Sequence, residues 1–173
     1  MKQINHSESY LSLKNVREMI SSIRDARDKI MIRILYETGC SLVELVQLKV
    51  SDVGGNKIKI KHDGLRYSTI SGKLAKDIRD YIRGNQLQSE SYLLSTRQSA
   101  KISEKRVRQL IQNYTKKNPQ KFRYYHIAHA YLSGVFIENI AQQLGLTTFR
   151  IFQILNKMGL NPQNRYNHFL RRI

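Results

Sequence analysis

Apolar residues along this chain recur every three or four positions, the spacing of one helix face, except in one short stretch where they alternate. From Leu11 to Ile23 they fall at Leu11, Leu13, Val16, Met19, Ile20 and Ile23, with Ser12 placed to cap the helix. A second helix is expected from about Asp25 to Glu37 through Ile30, Ile34 and Leu35, stopped by Gly39. A third, Leu42 to Leu48, carries Val43, Leu45, Val46 and Leu48 on its buried side, and Ser51, Asp52, Gly54, Gly55 and Asn56 then break regular structure. The exception is Lys57-Ile58-Lys59-Ile60-Lys61, whose period of two belongs to a half-buried strand. His62-Asp63-Gly64 supplies turn chemistry before a second strand, Arg66 to Ile70, giving a hairpin with a basic outer face. Further helices are expected at about Gly72 to Arg83, Ser103 to Lys116, Arg123 to Leu132, Ile137 to Leu144 and Thr148 to Met158. The pattern predicts a mainly α fold with a small antiparallel β-hairpin sheet. Pro119 marks a candidate boundary, and there is no internal repeat or low-complexity tract.

Charge narrows the function. Thirty Lys and Arg against thirteen Asp and Glu leave +17 on 173 residues. A folded chain of that length exposes roughly 8,800 Å², about one net positive charge per 500 Å². Such a surface calls for a polyanion. Hydrophobic residues at 40% exclude a disordered basic tail, and the cations are spread over nearly every segment rather than gathered on one membrane-seeking helix. Nucleic acid is therefore the expected partner, with no membrane and no cofactor. A lone cysteine, Cys40, excludes an internal disulfide and argues against a structural zinc site. The start MKQINHSESY lacks the apolar stretch of a signal peptide, so a cytoplasmic, nucleoid-associated protein is expected.

Thr38 to Val53, TGCSLVELVQLKVSDV, resembles the segment T-G-L-R-x-S-E-L-x-x-L-x-x-x-D-I of tyrosine recombinases, the phage-type integrases and Xer-type resolvases. The likeness continues through the hairpin, through YLLSTRQSAKISEKRVRQLIQNYTKK at Tyr92 to Lys117, and through HAYLSGVFIENIAQQLGL at His129 to Leu146. It spans about Leu11 to Leu155 and implies the tyrosine recombinase catalytic-domain fold. Residues 1–161 are expected to form that domain without the family's N-terminal core-binding domain, and 162–173 a basic tail opened by Pro162.

The resemblance also implies a site. The family attacks a scissile phosphate with a tyrosine, assisted by two arginines, a hairpin lysine and two histidine-type positions. The first arginine falls on Ser41, the lysine on Lys61, the H-x-x-R pair on Gln120 and Arg123, the histidine of L-G-H on Leu146, and the tyrosine on Leu155. Two of the six, Lys61 and Arg123, keep their chemistry. Losing the nucleophile and most of the charge stabilisation together removes effects of several kcal/mol each. Tyr166, in Tyr166-Asn167-His168, is the one displaced candidate nucleophile.

The expected function is thus duplex DNA binding without strand cleavage, as a regulator, an architectural protein or a recombination accessory, on DNA as a homodimer or higher oligomer. The alternative is a divergent recombinase using Tyr166 or a nucleophile in trans; an RNA-binding domain is a third class. Expected DNA contacts are Lys59, Lys61 and Arg66 on the hairpin, Arg106 and Arg108 on a helix, and Arg123. Within 137–158 the spacing also fits a helix-turn-helix capped by Thr147, with Thr148, Arg150, Gln153 and Lys157 on or near its outward face. His126 and His129 stand three apart, a spacing metal sites use, but without accompanying ligands they read as ordinary helix histidines.

Overall fold

The computed structural model describes residues 11–61, 64–96 and 98–160. Pro162, Tyr166 and the expected basic tail lie outside the described residues. Eight α-helices are described: α1 Leu13–Ser21, α2 Ala26–Thr38, α3 Leu42–Gln47, α4 Gly72–Gly84, α5 Glu104–Thr115, α6 Gln120–Leu132, α7 Ile137–Leu144 and α8 Thr148–Lys157. Between α3 and α4 lie the strands β1 Val53–Gly54, β2 Lys57–Ile60 and β3 Arg66–Thr69.

Most helices start where a short polar side chain takes a free backbone N–H. Ser12, Asp25, Ser41, Ser71, Ser103 and Thr147 each accept from the amide three residues on. Helix α6 differs. Pro119 occupies its N-cap, where a missing N–H costs nothing, and the Asn118 side chain accepts from the Gln120 N–H at 2.9 Å. The helix therefore starts three residues before the expected Arg123, and Gln120 stands exposed in its first turn.

Helix α2 is central. Ile30, Met31, Ile32, Ile34 and Leu35 are all buried, because α1, α3, α4, α6 and β3 surround it. One core of buried apolar residues runs from Val16 to Met158 and includes Phe122 and Ile127 beyond Pro119. Pro119 is consequently a helix start and not a domain boundary.

The sheet is antiparallel in the order β1-β2-β3, so the segment expected to be irregular contributes a third strand. Val53 pairs with Ile58 and Gly54 with Lys57. Between β2 and β3 the register sets Ile58 opposite Ser68, Lys59 opposite Tyr67 and Ile60 opposite Arg66. Ile58 and Ile60 are buried, so Arg66 stands on the inner face beside them. The basic outer face consists of Lys57, Lys59 and the following Lys61, without Arg66. In α3, Val43 is half-buried rather than core, while Glu44, not expected inside, is buried.

Candidate nucleic-acid interface

The corner between α2 and α3 organises the site. Gly39 ends α2 at φ +59°, and Thr38 Oγ1 donates to Ile34 O at 2.7 Å while accepting from the Cys40 N–H at 3.2 Å. Cys40 is buried, and its thiol pKa is pushed up to about 12 by burial. Ser41 Oγ accepts from the Glu44 N–H at 3.3 Å, and Glu44 Oε2 accepts from the Ser41 N–H at 2.6 Å. Ser41, the position expected to match the family's first arginine, is thus one half of a capping box.

Glu44 does a second job. Its carboxylate receives two guanidinium nitrogens of Arg66, Nη1 in a short bond to Oε1 and Nη2 at 3.0 Å to Oε2. Arg66 Nε donates to Gln143 O on α7 at 3.0 Å, so the hairpin, α3 and α7 are tied through one side chain. Burial opposes ionisation of Glu44, but Arg66 and the Ser41 amide outweigh it and hold the carboxyl below its usual range. Arg66, expected to face DNA, is instead bound into this pair on the inner face with a side chain 13% exposed. The signal for Glu44 was present in the Ser41-x-x-Glu44 spacing.

Arg123 is half-buried between the buried Phe122 and Tyr124. Its Nη2 donates to Leu144 O at the end of α7 at 2.9 Å, and its Nε is buried with no acceptor. Glu44 is near enough to attract it but is committed to Arg66. Burial first, then repulsion from Arg66 and Arg150, pushes the Arg123 pKa down.

The other expected positions separate. Lys61 Nζ sits 2.5 Å from the buried Asp52 carboxylate, with its side chain half exposed. Lys59 is half-buried on the outer face of β2. Arg106 and Arg108 are exposed on α5, Arg108 in a 3.2 Å pair with Glu104. They flank an open depression also lined by Gln109, Gln112 and Asn113, amides that the sequence reading passed over. Leu146 is half-buried, and Leu155 is fully buried in the core. Thr148, Arg150, Gln153 and Lys157 are all exposed on α8, Arg150 Nη1 donating to Gln153 Oε1 at 3.0 Å. Helices α7 and α8 are joined through Gly145 at φ +63° and pack together.

Both histidines are held in hydrogen bonds. His126 Nδ1 lies 3.0 Å from Tyr36 O, a distance that assigns it the proton, and His129 links the Tyr36 hydroxyl at 2.8 Å to Leu11 O at 2.8 Å. Among the described residues no group of three His, Cys, Asp or Glu side chains is arranged to hold a metal ion. None of the described helices is long and apolar enough to cross a membrane.

A helical domain wrapped on a central helix, with a three-stranded antiparallel sheet between its third and fourth helices, has the architecture of a tyrosine recombinase catalytic domain. A model of the phage integrase family matches residues 9–157, and the chain belongs to that family. Tyrosine recombinase XerA of Pyrococcus horikoshii is 28% identical over 160 residues, covering 86% of this chain and 56% of that protein. Tyrosine recombinase XerC of Staphylococcus epidermidis is 24% identical over 156 residues, covering 82% of this chain and 49% of that protein. The chain thus spans about half the length of these curated relatives. Among solved structures, the XerA recombinase superposes with a TM-score of 0.82 at 21% identity, over 99% of this chain and 65% of that one. The XerH site-specific recombinase bound to difH substrate gives 0.69 at 18%, over 86% of this chain and 50% of that one.

Proposed function

We infer that this chain binds duplex DNA with the recombinase scaffold and does not cut it. The observation that carries this reading is the state of the six motif positions. Lys61 and Arg123 keep cations, whereas Ser41 caps a helix, Gln120 is an exposed amide, Leu146 is half-buried and Leu155 is a core side chain. None of the last four supplies a nucleophile activated for attack or a proton donor for a leaving oxygen. The excess of seventeen positive charges supports a polyanionic partner, and an integrase of the same fold, that of the Tn1549 transposon, was solved in complex with transposon right end DNA. Lys59, Lys61, Arg106, Arg108 and Arg123 are the proposed phosphate contacts, and the exposed face of α8 is the candidate base reader. A regulator, an architectural protein or a recombination accessory fits this chemistry, acting in two or more copies on one duplex.

The reading predicts affinity for duplexes that falls linearly on a log–log plot against salt, because neutralised phosphates release counterions. Titration of labelled duplex and structured RNA at fixed salt tests it: preference for RNA contradicts it. Loss of Lys61 and Arg123 together, as Lys61→Ala with Arg123→Ala, should lower both affinity and salt slope, and unchanged values would remove them from the interface.

A second reading rests on the relatives, which carry the name tyrosine recombinase. In it Tyr166, outside the described residues, or a tyrosine of another copy attacks the phosphate. Covalent protein–DNA adduct that disappears in Tyr166→Phe would establish it.

A further inference from the structure

The outer face of the sheet carries two parallel rows. Lys57 and Lys59 on β2 stand opposite Thr69 and Tyr67 on β3, and the same pairing carried one residue past Ile60 and Arg66 sets Lys61 opposite Leu65. Side chains two apart on a strand share a face, so cations line one row while Leu65, Tyr67 and Thr69 line the other. The opposite face is spent on the core, with Ile58, Ile60 and Ser68 buried. The outer one is open. Tyr67 is 57% exposed and Leu65 60%, and Lys57 and Thr69 are exposed beside them. Among the described residues nothing hydrogen-bonds the Tyr67 side chain or stacks on its ring, and neither Lys57 nor Lys59 joins an ion pair. Asp52, just before β1, is buried against Lys61.

Charge and shape together choose what covers this face. Lysine is depleted where proteins meet proteins, whereas a cation row beside an uncovered aromatic suits a polyanion with flat faces. In a duplex each base is covered by its neighbours at a rise of roughly 3.4 Å, and none is free to lie on a tyrosine. Residues two apart on a strand are about 6.6 Å apart, roughly twice that rise. Positions at Leu65, Tyr67 and Thr69 therefore match a nucleic-acid strand that is drawn out and unpaired. A β-sheet serves as such a platform because a ring lying on its surface accepts any base.

We propose that the outer face of the sheet binds an unpaired stretch of DNA, its bases over Leu65, Tyr67 and Thr69 and its phosphates along Lys57, Lys59 and Lys61. Tyr67 stacks on one base, and Lys59, directly across from it, meets the adjoining phosphate. The inference deepens the duplex-binding reading, with which it shares Lys59 and Lys61: the chain holds a duplex where a neighbouring stretch has come apart. It rests on that reading for DNA as the source of the strand, while Tyr67 and Lys57 serve the unpaired strand alone.

The sequence contains no tryptophan, so Tyr67→Trp places a single indole on the face. Its fluorescence should be quenched by a saturating oligothymidylate, which has no paired structure, and not by a blunt duplex. Anisotropy of the labelled ligands at fixed salt measures affinity. Tyr67→Ala should weaken oligothymidylate binding roughly tenfold, the scale of one lost stacking contact, and leave the duplex within about twofold, whereas Tyr67→Phe keeps both. Lys57→Ala should lower the oligothymidylate salt slope by about 0.7. Both side chains are exposed, and circular dichroism verifies the fold of each variant. An indole left unquenched by the bound oligomer, an oligothymidylate affinity unmoved by Tyr67→Ala, or equal losses on the two ligands overturns the site. Tighter binding of oligouridylate than of oligothymidylate overturns its assignment to DNA. Ring-dependent oligothymidylate binding without duplex affinity keeps the site and refutes the duplex reading; duplex affinity without oligothymidylate affinity does the reverse.

Discussion

Glu44 and Arg66 show what a single buried ion pair does here. The pair fastens α3, the hairpin and α7 at one point, and each partner compensates the other's charge. Replacing one buried partner leaves the other uncompensated, so Glu44→Ala should destabilise the fold by about 3–5 kcal/mol, read as a lower urea midpoint. Replacing both, as Glu44→Leu with Arg66→Met, should recover most of the loss. Equal midpoints for Glu44→Ala and the wild type would contradict this role. His126 makes a pH prediction at the same scale. Burial lowers its pKa against the opposing pull of the Tyr36 carbonyl, repulsion from His129 and Arg123 adds to the lowering, and His129 is lowered mainly by burial. The neutral forms are favoured in the fold, so as pH falls below about 6.5 the unfolded chain takes up protons first. Stability should be full above that value and decline toward the lowered folded pKa. Urea midpoints at two pH values, roughly one unit to either side of the unperturbed histidine value, test the sign; a higher midpoint at the acid end contradicts it.

At the scale of elements, the joints matter more than the helices they join. Gly39 is at φ +59°, and a Cβ there would run into the Leu144 side chain of α7. Gly39→Ala should therefore cost more than about 1 kcal/mol, the ordinary penalty for the left-handed backbone, because the buried Leu144 side chain must also give way. Thr147→Ala should cost about 1 kcal/mol through the lost cap and loosen the turn that carries Arg150. Thermal unfolding separates the two. The helices were legible in the sequence because the apolar spacing and the Ser, Asp and Thr caps point to the same boundaries. The start of α6 was not, since the polar run before Arg123 hides a helix that begins behind Pro119. Nor was the face of Arg66. In Arg66-Tyr67-Ser68-Thr69-Ile70 the apolar residues Tyr67 and Ile70 fall on opposite parities, so only the pairing with β2 decides which side points inward. Arg123 was legible as a cation but not as one tied into the fold, because its acceptor, the Leu144 carbonyl, and its electrostatic neighbour Glu44 are distant in sequence.

For the whole molecule, a single core reaches from α1 to α8 among the described residues, and the full sequence carries a large positive excess. The family's scaffold is retained across that core, and within it Ser41 serves as a helix cap and Leu155 as packing. Holding without cutting is the central claim. Its most direct test incubates the full chain with a labelled, nicked suicide duplex and resolves one sample on native and denaturing gels. The account predicts a retarded, salt-sensitive complex on the native gel and only free DNA after denaturation. A labelled band that survives denaturation with the protein attached, and is lost in Tyr166→Phe, would contradict it.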